Sequence, residues 1–182
     1  MEYNLQDFLS EVKDYRRGAG QRYPLWAVLS MIIMSIISGA KGYREFGRFM
    51  KANQDSLIEC FKLKHGVPSH VTIRAILRKL DLDTLTKSFR AWMSVCASPD
   101  STEWLAIDGK SLSSTVTNPN DSLQNFVSVV SVFAQHSGLV YDLQAFENGK
   151  AFEPRIVRQL IRRLGLKDVV FTLDALHCQK KP

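Results

Sequence analysis

Two carboxylates stand where strand-like apolar runs stop. Asp108 follows Trp104-Leu-Ala-Ile107 and precedes Gly109-Lys110; Asp174 follows Val169-Val-Phe-Thr-Leu173. A charge carried to the end of a buried strand is costly unless it is paired, hydrogen-bonded or bound to a cation. Gly109 beside Asp108 allows a backbone or ligand to come close. If the two strands are neighbours, about 4.8 Å apart, the carboxylates could share one or two hard cations, Mg²⁺ or Mn²⁺. Such ions activate a water or a 3′-hydroxyl and stabilise the leaving oxygen in phosphoryl transfer. The competing reading is that a strand-end Asp is a turn or cap residue, and pattern alone leaves the two in balance.

The elements after residue 103 could bring the two acids together. The sequence predicts a strand over 104–108, a loop over 113–121 and a Val/Phe-rich strand over 125–134. A turn at Ser137-Gly138, a returning strand over 139–146 and a turn at 147–149 come next. Pro154 suits the first turn of a helix with Ile156, Val157, Leu160, Ile161 and Leu164 on its apolar side; Gly165 ends it before a strand over 169–173. Two antiparallel steps and a right-handed crossover make the last strand parallel to the first. Asp108 and Asp174 then emerge at one C-terminal edge, where open α/β sheets build their sites. This order, with acids at these points, is the beginning of an RNase H-like fold. Glu153 precedes the crossover helix and is expected at the opposite edge.

The first part of the chain reads differently. Helical periodicity covers 4–14, 25–38, 43–53, a segment after the N-cap candidate Ser69, and 81–96; residues 55–62 either extend the third helix or form a separate turn. The helix over 25–38 is apolar on nearly every face, as expected at the centre of a bundle. The polar break Ala97-Ser-Pro-Asp-Ser-Thr102 marks a boundary. The fold class is therefore α + α/β: an all-helical domain over 1–98, then the first part of an RNase H-like fold over 103–182.

Charge divides the same way. The formal net charge is +6; residues 1–98 hold 15 Lys/Arg against 9 Asp/Glu, and residues 99–182 hold nine of each. A basic first part beside strand-end carboxylates suggests nucleic-acid binding next to metal chemistry. The candidate contacts are Arg16 and Arg17 in the glycine-rich connection, Arg74 and Arg78 one helical turn apart, and Lys110 beside Asp108. For each the alternative is a solvated cation, as it is for the stripe Arg155, Arg158, Arg162 and Arg163. Three scattered cysteines without a C-x-x-C pair fit a reduced, cytoplasmic protein and not a disulfide scaffold or structural zinc; His177-Cys178 is adjacent rather than ligand-spaced. The apolar run 25–40 is too short and too serine-rich for a membrane span. The first residues carry no basic leader, and no glycine-rich phosphate loop or nucleophile elbow occurs.

Specific strings then carry a resemblance. Arg22-Tyr-Pro-Leu25, Ser38-Gly-Ala40, Pro68-Ser69 with Thr72, Arg74 and Leu77, Ala106-Ile-Asp-Gly-Lys110, Lys150 with Glu153, and Thr172-Leu-Asp-Ala-Leu-His-Cys-Gln-Lys180 together resemble the DDE transposases of insertion sequences, most closely the H-repeat-associated group. The resemblance implies that Asp108 and Asp174 are the first two carboxylates of a DDE triad working with Mg²⁺ or Mn²⁺. It further implies double-stranded DNA as partner, self-association, no membrane and no small-molecule cofactor. Tyr15 stands where such proteins often have Pro, and Phe152 and Pro154 flank Glu153 where they usually have Asn and an aliphatic residue; these departures are expected to alter little. The third acid, a Glu on a later helix, has no counterpart before Pro182. The resemblance thus implies a truncated copy, inactive or incomplete alone, or a non-catalytic DNA-binding or dimerising remnant that modulates intact transposase.

Overall fold

The computed structural model describes residues 4–96, 103–117 and 124–174. The proposed break at 97–102, the end of the expected loop over 113–121, and the stretch after Asp174 with His177 and Cys178 lie outside the described residues. The chain divides into two compact units, Met1–Trp92 and Met93–Pro182.

The first unit is helical. It comprises α1 (Leu5–Ser10), a 3₁₀ turn (Gly18–Gly20), α2 (Leu25–Ile37), α3 (Tyr43–Ala52), α4 (Gln54–Phe61), α5 (His70–Leu77) and most of α6 (Leu82–Cys96). Asn4 caps α1 in a reciprocal box with Asp7, and Ser69 caps α5 through the Thr72 amide. Residues 54–61 form a helix of their own, because Asn53 leaves helical geometry and bonds its side-chain amide to the Phe49 carbonyl. The core gathers on α2, whose Ala27, Val28, Leu29, Met31 and Ile32 pack with Phe8, Leu9, Phe46, Met50, Leu57, Ile73 and Ile76. Phe8 stacks on Trp92 of α6 at 5.2 Å, with planes 4° apart. The last turn of α2 departs from the all-round burial expected: Met34, Ile36 and Ile37 are exposed.

A polar clamp fixes the entry to this bundle. Arg16 gives Nε to Asp14 Oδ1 at 2.9 Å and Nη2 to Asp14 Oδ2 at 2.8 Å, and its remaining donors reach the carbonyls of Gly20 and Tyr23. Its side chain is only 7% exposed. Tyr15 next to it is not idle drift: its hydroxyl donates to the Ile76 carbonyl at 2.6 Å, serving a carbonyl near the end of α5.

The second unit is a mixed sheet with one helix on it. β1 (Trp104–Thr117), β2 (Asn125–Ala134), β3 (Val140–Glu147) and β4 (Val170–Leu173) lie in the order β3-β2-β1-β4; α7 (Glu153–Leu164) connects β3 to β4. β1–β2 and β2–β3 are antiparallel, and β1–β4 is parallel, as the sequence predicts. Ile156, Val157 and Leu160 of α7 cover Leu105, Ile107, Val130, Val132 and Tyr141. β1 is much longer than 104–108. Its Ser/Thr-rich continuation, read from sequence as the start of a loop, pairs with β2 through Leu112↔Val127 and resumes at Thr117↔Asn125. Ladder bonds there outweigh the local turn preference of Ser, and the β-branched threonines fit the pleat.

Two buried carboxylates of this unit are structural. Asp142, fully buried, receives Nε and Nη2 of Arg163 at 3.0 and 2.7 Å, tying β3 to α7. Glu103 accepts the amides of His136 and Ser137 and so closes the β2–β3 turn.

Three stability predictions follow from these contacts. Asp142→Ala leaves the Arg163 guanidinium without its buried partner and lowers unfolding free energy by about 3 kcal/mol, read by urea denaturation. Tyr15→Phe loses one hydrogen bond and costs about 1 kcal/mol in the same measurement. The Arg16 guanidinium bonded to Asp14 holds that carboxyl below its ordinary range. A carboxyl depressed in the folded state stabilises above its unfolded pKa, near 3.9, and that contribution is lost as pH falls through the folded value. The melting-temperature gap between wild type and Asp14→Asn is therefore full at neutral pH and closes below about pH 4.

Candidate active site

Asp108 lies within β1, opposite Ser131 of β2, and not at the strand's end. What ends beside it is β4: the parallel ladder runs Trp104↔Val170, Leu105↔Phe171, Ala106↔Thr172 and Ile107↔Leu173. The next register position pairs Asp108 with Asp174. Adjacent strands are about 4.8 Å apart, and partners in register share a face of the sheet. Leu105 and Ile107 are buried under α7, so alternation turns Asp108 to the other face. Both acids are exposed. Asp108 accepts no hydrogen bond from the described residues, which removes the turn or cap role for this residue. Asp174 does interact within the chain.

Glu153 corrects the expectation that it lies at the far edge. β3 is antiparallel to β2 and β2 to β1, so β3 runs with β1 and ends at the same edge as the carboxylates. α7 begins there and runs back. A Cβ built on Gly109 would sit 2.6 Å from the Glu153 Cδ and Oε1, so Glu153 lies over the β1 backbone one residue from Asp108. Gly109 admits it by having no side chain. Glu153 approaches on the α7 face, however, and Asp108 points to the other. Among the described residues no group of three or more His, Cys, Asp or Glu is placed to hold a metal ion.

The cations expected to meet DNA separate in the structure. Lys110 is exposed on the same face of β1 as Asp108, two residues on, and makes no ion pair among the described residues. Arg74 and Arg78 are exposed on one row of α5, and Arg17 is exposed in its connection. Arg16 uses its donors inside the first unit, as described above. On α7, Arg163 is taken by Asp142, while Arg155, Arg158 and Arg162 are exposed.

What sequence reasoning missed is a second basic row. Arg44, Arg48 and Lys51 of α3 line a groove closed on its other side by Pro68, Ser69 and His70. Their i, i+4, i+7 spacing was legible as an exposed helical face, yet nothing local marked it off from any other solvated face.

The Gly109–Glu153 contact yields a mutational test. Gly109→Ala is expected to keep unfolding free energy within about 1 kcal/mol of wild type by urea denaturation, because the end of a Glu side chain can swing aside. A loss above about 3 kcal/mol would show instead that Glu153 is rigidly held.

Comparison with known proteins shows what the chain is similar to. Residues 6–93 match the family model described as DDE_Tnp_1-associated. The chain is 28% identical over 177 residues to the H repeat-associated putative transposase YhhI of Escherichia coli K12, covering 97% of this chain and 46% of that protein. Over 177 residues it is 27% identical to the putative transposase YncI of the same strain, and over 176 residues 27% identical to the H repeat-associated putative transposase YbfD. Those alignments cover 97% of this chain and 70% and 68% of the relatives. The chain spans about half the length of the first of these relatives. No solved structure matches it. No helix among the described residues is long and apolar enough to cross a membrane. With a match to a transposase-associated family model over residues 6–93 and transposase relatives aligned along 97% of its length, the chain is similar to the H-repeat-associated transposases.

Proposed function

We propose that this chain works in insertion-sequence transposition, as the part of a DDE transposase that carries the first two acids of an RNase H-like catalytic domain behind a helical domain. The observation that carries the reading is the parallel register Ile107↔Leu173, which makes Asp108 and Asp174 neighbours at the point where β4 stops. Mg²⁺ is held by one or two carboxylates, with water and substrate phosphate oxygens completing its octahedron. Two exposed acids at adjacent register positions fit that donor set without a third protein ligand. When bound, the ion supplies Lewis-acid activation of a water or 3′-hydroxyl and charge stabilisation at the leaving oxygen. Asp108 and Asp174 would hold it, and Lys110, on the Asp108 face, would meet a phosphate of the DNA.

A second reading keeps the DNA partner and drops the chemistry: a non-catalytic module that competes with or joins intact transposase. It is favoured by the concentration of the whole +6 excess in residues 1–98. On this second reading the chain alone does not complete strand transfer.

Both readings can be tested on the purified chain. Mn²⁺ binding, followed by water-proton relaxation, is expected to weaken more than about tenfold in Asp108→Asn/Asp174→Asn, a scale that even outer-shell changes reach at metal sites. An unchanged Mn²⁺ affinity would remove the two acids from the metal site. Nicking of supercoiled plasmid in Mg²⁺ is expected to stay at the Asp108→Ala background. Vigorous nicking that disappears in Asp108→Ala would establish a complete site and overturn the inactivity of the chain alone.

A further inference from the structure

We propose that the groove between α3 and the start of α5 is a binding site for the sugar-phosphate backbone of duplex DNA. It has a volume of about 670 Å³ and is lined by Arg44, Arg48 and Lys51 on one side and by Ser69 and His70 on the other, with no carboxylate in its walls. The three cations lie on one row of α3, away from the buried Phe46 and Met50. Lys51 makes only a 3.3 Å contact with Gln54, and neither Arg44 nor Arg48 has an ion-pair partner among the described residues. The acid of α3, Glu45, turns away to accept the Lys41 amide at 2.6 Å. This differs from Arg16 and Arg163, whose guanidinium groups are consumed by Asp14 and Asp142.

The packing keeps the groove narrow and its charges together. α3 and α5 touch at Gly47, where a Cβ would come 3.0 Å from the Cβ of His70 and 3.2 Å from its amide nitrogen. The absence of a side chain at Gly47 lets the amino end of α5 approach the basic row. From His70 the row on α5 continues to Arg74 and Arg78 at i+4 and i+8, both exposed. Two basic rows thus meet at one groove inside the first unit. From Arg44 to Lys51 the row on α3 runs about 10 Å, about three base-pair steps at 3.4 Å. Flexible and planar cations without internal partners suit phosphate oxygens. The choice of duplex DNA over another polyanion rests on the transposase reading; the preference for a phosphate backbone rests on the groove.

The test is fluorescence anisotropy of the full chain with a labelled 30-base-pair duplex across a salt series. Arg44→Gln/Arg48→Gln is expected to bind about tenfold more weakly at low salt, with a log K against log salt slope less steep by about 1.8, about 0.9 per lost phosphate contact. Arg155→Gln/Arg158→Gln on α7 is expected to bind as wild type, and melting curves establish that each variant is folded. The assignment is overturned by a folded groove variant with wild-type slope and affinity, by an equal loss in the α7 variant, or by a wild-type chain without salt-sensitive duplex binding. Tighter binding of single-stranded RNA than of the duplex would overturn the choice of DNA. Because the duplex titration contains no divalent metal and the Mn²⁺ titration contains no DNA, loss of the metal reading and loss of the groove are separate results.

Discussion

The parallel pairing of β1 with β4 is the constraint from which the candidate site follows. Parallel neighbours cannot be joined by a hairpin; the chain must cross over, and it does so through α7. The crossover fixes the hand of the connection, covers one face of the sheet and starts β4 at the same end as β1. Once the ladder begins at Trp104↔Val170, the register carries forward without freedom to Ile107↔Leu173, and Asp108 and Asp174 become neighbours. A slip of one residue would turn Asp174 toward α7 and away from Asp108. The site is thus a consequence of pairing register, and the residues that enforce it are the buried ones on the other face, Leu105, Ile107, Val157 and Leu160.

Much of this was legible in the sequence, and what was not has physical reasons. Apolar runs ending in Asp, Ser137-Gly138, Pro154 and Gly165 marked the strands, the hairpin and the ends of the crossover helix; Gly165 indeed closes α7 in the left-handed region at φ 60°. The second half of β1 was hidden because Ser and Thr favour turns in isolation, and only β2 beside it supplies the competing ladder. The position of Glu153 was derivable from topology alone. With two antiparallel steps before it, a helix that leads into a strand parallel to β1 must begin at the edge where β1 points. The contact with Gly109 could not be read from sequence, since it depends on how α7 settles on the sheet.

Charged residues show the limit of sequence more sharply. Arg16 and Arg17 look alike in a basic, glycine-rich stretch, yet Arg16 is consumed by Asp14 and two carbonyls and Arg17 is exposed. Asp142 sits mid-strand with nothing in its sequence context to mark it, and proves fully buried against Arg163 of α7, a residue 21 positions away. Long-range pairing decides each case, and no local spacing encodes it. The clamps at Asp14–Arg16 and Asp142–Arg163 are what desolvation demands of buried charge.

The same criterion turns from stability to function. A buried charge must find its partner within the chain, whereas an exposed one remains available to something outside it. Asp108, Lys110, Arg44 and Arg48 are exposed and lack ion-pair partners among the described residues. Exposure alone is cheap and common on any surface. What distinguishes these groups is that packing gathers them: Asp108 and Asp174 through strand register, Arg44 and Arg48 with His70 through the close crossing at Gly47. Gathering like charges costs free energy through repulsion. A cation between the two acids and a phosphate backbone along the arginines would each offset that cost.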